Sequence, residues 1–137
     1  MNFTDFAIDK ILYKTFASSK ESDRVLAKSA GPTTLTTEEQ AVLTFIPRLN
    51  GNLYLRAHFS TEETKNTFKV KVYQDNTLVR EFTNDVKTSV VTGFIDVRAF
   101  SKYTVKLHAS KELSSTTGSV SIYGDVADDY SKYISTI

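Results

Sequence analysis

His58 and His108 are the only imidazoles of the chain, and no cysteine accompanies them. Proton transfer near neutral pH and transition-metal binding therefore fall to these two residues. Each sits on the outward phase of an alternating segment, "NLYLRAHFS" and "YTVKLHAS". A metal shared between them requires two neighbouring strands in one particular register; without that register both are surface residues. Asp125, Asp128 and Asp129 follow the last alternating segment. Clustered carboxylate oxygens suit calcium, and the plainer reading is a solvated chain end. No glycine-rich phosphate loop, nucleophile elbow or His-Glu metal motif occurs, since the five glycines are scattered singly. The expectation is a protein that is not an enzyme, with no catalytic residue, no metal and no cofactor.

The elements that position these groups fall into three zones. In residues 1–31, Ile8, Leu12 and Phe16 recur at a spacing of four with Ile11 beside them, which suits one helical face. Thr4 or Ser22 would cap such a helix, and Gly31-Pro32 would stop it, so residues 1–31 form a helical or extended arm that either packs on the domain or docks onto a neighbouring subunit. From residue 32 to 126 the period changes to two, the repeat of a half-buried strand. Leu53, Leu55, Ala57 and Phe59 face one way, and Tyr54, Arg56 and His58 the other. Phe68, Val70 and Val72 alternate with Lys69 and Lys71. In "GFIDVRAFSKYTVKLHAS", Ile95, Val97 and Ala99 form one inward stripe, and the phase slips at Phe100-Ser101-Lys102. Tyr103, Val105, Leu107 and Ala109 then form the next stripe, so a tight corner joins two strands. Residues 127–137 are a short tail.

Strands are expected at about 33–37, 41–47, 52–60, 67–74, 78–84, 87–98, 102–109 and 118–126. Within "KVYQDNTLVREF", a shared face for Val70, Val72, Leu78 and Phe82 demands an odd loop, and Asp75-Asn76-Thr77 supplies three residues. Seven or eight short strands between turn signals predict a mainly β protein: an antiparallel β-sandwich, jelly-roll or immunoglobulin-like, with an N-terminal helical arm.

The 137 residues suit one domain, stabilised by burial because no disulfide can form. A formal net charge of +1 gives no field to gather nucleic acid or anionic lipid. Asp5, Asp9, Lys10 and Lys14 interrupt the first residues, so no signal peptide is expected, and no run is long enough to span a bilayer. Tyr54, Tyr73 and Tyr123 fall on outward phases, where rings either stack against sugars or serve a protein interface. The chain has no tryptophan.

Taken together, "LTTEEQAVLTFIP", "GNLYLRAHF", "FKVKVYQDNTLVREF", "FIDVRAFSKYTVKLHA" and "GSVSIYGDV" resemble the small cysteine-free β-sandwich proteins of tailed bacteriophage particles, over about residues 33–126. The resemblance implies a structural virion component, such as a head decoration, neck, tail or fibre-attachment protein, made in the host cytoplasm. Its termini would grip other virion proteins or copies of itself in a homo- or hetero-oligomer. Contacts are then expected at Phe3, Phe6, Ile8, Leu12 and Phe16 of the arm, and at Tyr130, Tyr133 and Ile137 of the tail. The alternative is a carbohydrate-binding sandwich that stacks sugars on Tyr54, Tyr73 and Tyr123.

Overall fold

The computed structural model describes residues 16, 24–61, 67–84, 89–110, 116–124 and 134–137. Among these, ten strands form: β1 Arg24–Lys28, β2 Thr33–Thr34, β3 Gln40–Pro47, β4 Gly51–Ser60, β5 Phe68–Gln74, β6 Thr77–Asn84, β7 Val90–Val97, β8 Tyr103–Ala109, β9 Thr117–Gly124 and β10 Ile134–Thr136. They make two five-stranded sheets. The first runs β1-β9-β4-β7, with β2 also paired to β9; the second runs β10-β3-β8-β5-β6. Every strand pair is antiparallel.

The period-two pattern makes the core, because alternate side chains of each sheet face the other sheet. Leu53, Leu55, Ala57 and Phe59 of β4 are buried, as are Phe68, Val70 and Val72 of β5. Tyr103, Val105, Leu107 and Ala109 of β8 join them. Each large apolar side chain taken from water stabilises by about 1.5–3 kcal/mol, so these stripes dominate the favourable side of folding. Across the two sheets Phe59 stacks on Phe68, with ring centroids 4.4 Å apart and planes 10° apart. Within the second sheet Phe45 stacks on its partner Tyr103 at 5.6 Å.

Two expectations need correction. The helical arm is not what the described residues show: Arg24–Lys28 is a strand on the edge of the first sheet, and Phe16 makes a parallel bridge to Gly51. A bulge between Val25 and Ala27 lets both Leu26 and Ala27 turn inward, which erases the alternation that marks a strand. The other residues of 1–23 lie outside the described residues. The β5–β6 hairpin keeps the expected pairing of Val70 with Phe82 but reaches it differently. Gln74 faces Thr77 across a two-residue Asp75-Asn76 turn, and a bulge at Val79 then restores the parity. Asp75 takes φ 55°, a left-handed conformation that Asp tolerates better than most residues. Leu78 consequently pairs with Tyr73 and is exposed instead of inward.

The β6–β7 side is closed by contact between the sheets. Phe82 packs where a side chain at Gly93 would lie, and the Arg80 guanidinium sits 4.7 Å from the Phe82 ring centre. Arg80 Nε also donates to the Phe94 carbonyl at 3.2 Å, which satisfies an edge acceptor of β7. No helix among the described residues is long and apolar enough to cross a membrane.

Candidate functional site

The site grows from the β4–β7 ladder. Its register places Asn52 opposite Asp96 and Tyr54 opposite Phe94, all on the outward phase. Asn52 Nδ2 donates to Asp96 Oδ1. The Tyr54 and Phe94 rings lie 5.5 Å apart with a tilt of 58°, and on the other side Tyr54 meets Tyr123 at 6.0 Å and 56°. Both separations suit favourable tilted aromatic pairs. The row continues to Val25, opposite Tyr123.

This row leads into an open cleft of about 840 Å³ at one end of the sandwich. Its polar lining includes Asn50, Asn52, Gln74, Arg80, Asp96, Arg98 and Tyr103. Phe94 and Val79 supply apolar surface beside them, and Phe94 is 45% exposed. Strand ends and turns hold these groups in place. Asn50 Oδ1 accepts the Ala99 N–H at 2.8 Å, and Gln74 Nε2 donates to Ser101 Oγ at 3.1 Å. The Tyr103 hydroxyl accepts the Arg98 N–H at 2.8 Å. Burial pushes the Tyr103 phenol above its ordinary range, against the pull of that N–H. The Arg98 guanidinium has no hydrogen-bond partner among the described residues.

The three outward tyrosines are not brought together. Tyr54 and Tyr123 are neighbours on the first sheet, but Tyr123 is only 8% exposed. Tyr73 lies on the second sheet, its hydroxyl donating to Glu39 Oε1 at 2.6 Å and its ring lying 4.7 Å from Lys106 Nζ. Lys71 Nζ adds an ion pair to Glu39 at 3.0 Å. The Tyr73 phenol and Lys71 together hold the Glu39 carboxyl below the usual carboxylate range. Tyr54 is thus the half-exposed tyrosine with an exposed ring beside it, and that ring is Phe94. Phe94 was legible in "GFIDV" as an apolar residue out of phase with Ile95 and Val97.

The histidines do not meet either. His58 is on β4 of the first sheet and His108 on β8 of the second, so no strand register lets them share an ion. Among the described residues no group of three or more His, Asp or Glu side chains is placed to hold a metal. Asp125, Asp128 and Asp129 lie outside the described residues, as do Phe3, Phe6, Ile8, Leu12, Tyr130 and Tyr133. Phe16 is buried in the protein's own core at 3% exposure, whereas Ile137 is 74% exposed.

Neither a protein-family model nor a curated protein sequence matches the chain. Among solved structures it aligns with a family 35 carbohydrate binding module from an environmental isolate. The alignment has 15% identity over 89% of this chain and 90% of that chain, with a TM-score of 0.49.

Proposed function

We propose that the chain is a non-catalytic glycan-binding module that holds its ligand where the Tyr54–Phe94 ring pair meets the end cleft. The observation that carries this reading is the double role of Phe94: it pairs with Tyr54 on the outer face and lines the cleft beside Asn52 and Asp96. A sugar ring has apolar C–H faces that pack on aromatic rings and hydroxyls that both donate and accept. Amides, a carboxylate and guanidinium groups around one exposed ring answer both demands. The scaffold is of jelly-roll type: from β3 to β9, consecutive strands change sheets at every connection except the β5–β6 hairpin. Such alternation does not suit the immunoglobulin-like alternative. Screening the full chain on an array of neutral and acidic oligosaccharides tests the reading, and the absence of any signal above background would sink it.

A second reading, assembly into a particle as a virion component, draws on the exposed apolar side chains of the second sheet, of which Val79 also borders the cleft. Leu78 and Val79 on the edge strand β6 are each 44% exposed, and Ile137 is more so. Exposed apolar side chains on an edge strand suit contact with another subunit. Light scattering on the full chain separates the readings, since a monomer at all concentrations argues against self-assembly through these residues.

A further inference from the structure

Phe100 stands at the corner between β7 and β8 with φ 68°, and it is 76% exposed. Both facts run against its residue type. The left-handed region favours Gly, Asn or Asp, and a bulky side chain there is an outlier. Ser101 N–H donates to the Arg98 carbonyl at 3.3 Å, closing a four-residue turn with Phe100 in its third position. Positive φ at that position is the mark of a type II turn, where glycine is the usual occupant.

The turn is braced from several sides. Arg98 N–H reaches the Tyr103 hydroxyl and Ala99 N–H the Asn50 side chain, each at 2.8 Å. Phe100 N–H donates to the Pro47 carbonyl at 2.7 Å, and Gln74 holds Ser101 Oγ at 3.1 Å. Strain persists where surrounding structure over-determines it, and it concentrates at ligand sites. Here the bracing groups are themselves cleft groups: Asn50, Gln74, Arg98 and Tyr103 all line it.

We infer that Phe100 is a ligand-contacting ring, held out by this strained turn to pack on a sugar unit that extends past the cleft. The inference rests on the glycan-binding reading and assigns it a further residue. A glycine would relax the turn but offer no ring, so the turn's own geometry does not account for phenylalanine there.

The chain has no tryptophan, so Phe100→Trp installs a single tryptophan at this corner, excited selectively over the tyrosines. Wild type, Phe100→Ala and Phe100→Gly are titrated calorimetrically with the strongest array oligosaccharide, and Phe100→Trp is titrated by fluorescence. Expected are dissociation constants raised about tenfold or more in the Ala and Gly variants, with circular dichroism unchanged. The Phe100→Trp emission should shift as the oligosaccharide saturates. Equal affinities across wild type, Ala and Gly, or unmoved emission while calorimetry shows binding, overturn the role of Phe100 and leave the glycan-binding reading standing. A wild-type chain that binds no oligosaccharide overturns that reading, and this inference with it.

Discussion

Phe16 lies backbone to backbone with Gly51: its N–H donates to the Asn50 carbonyl at 2.8 Å, and its carbonyl accepts the Asn52 N–H at 3.2 Å. Gly51 has φ 135°, and a Cβ there would fall on the Phe16 backbone. Both the dihedral angle and the contact require glycine. Gly51→Ala is therefore expected to lower stability by about 2–4 kcal/mol, read as a fall in the urea midpoint. An unchanged midpoint would mean that the Phe16 segment does not dock on β4.

Tyr103 couples the core to the cleft. Its ring stacks on Phe45, while its hydroxyl accepts the Arg98 N–H. Tyr103→Phe keeps the ring and removes the acceptor, leaving a backbone donor unpaired at the start of the corner. A loss of about 1–2 kcal/mol is expected in thermal or urea unfolding. Ligand affinity should fall as well, because Arg98 loses its anchor. Wild-type stability in this variant would show that water replaces the phenol without cost.

His108 predicts an acid-side weakness. Its Nε2 is buried without a partner among the described residues. Burial first and then Lys71 hold the imidazole below its ordinary value of 6.5; Glu39 opposes them, with smaller contributions from Lys69, which lowers it further, and Glu81, which raises it. The folded state thus binds this proton less readily than the unfolded state. Stability is full above 6.5 and is lost as pH falls from there through the lowered folded pKa. Glu39, also lowered, adds a separate loss below its ordinary 4.5. Urea midpoints measured from about pH 7 to about pH 4 should show His108→Gln flattening the upper part of this decline and leaving the lower part in place. Identical profiles for wild type and variant would contradict the assignment.

Strands were legible wherever a period of two ran unbroken, as in β4, β5, β8 and β9. β1 was not, because the bulge at Val25–Ala27 places consecutive apolar residues on one face and breaks the alternation that marks a strand. β10 spans only three residues and takes its identity from pairing with β3, a partner remote in sequence. The hairpin parity was readable from the inward residues, but the bulge at Val79 that achieves it left no local signal. At the site, Tyr54 was visible from its phase. Its partner across the ladder was not singled out, because which strand lies beside β4 is decided by sheet order. The cleft is assembled by turns that sequence distance separates, and the phase slip at Phe100-Ser101-Lys102 marks the corner without showing that Phe100 is its left-handed residue.

If Phe94 and its neighbours hold a glycan, calorimetric titration of one array-selected oligosaccharide into wild type, Phe94→Ala and Tyr73→Ala will separate the two faces of the sandwich. Phe94 is exposed, so its removal should change stability by no more than about 0.5–1 kcal/mol. Predicted is a loss of affinity of about tenfold or more in Phe94→Ala, with Tyr73→Ala, on the other sheet, binding as wild type does. Wild-type affinity in Phe94→Ala would remove Phe94 from the binding surface, and a loss confined to Tyr73→Ala would move that surface to the opposite face of the sandwich.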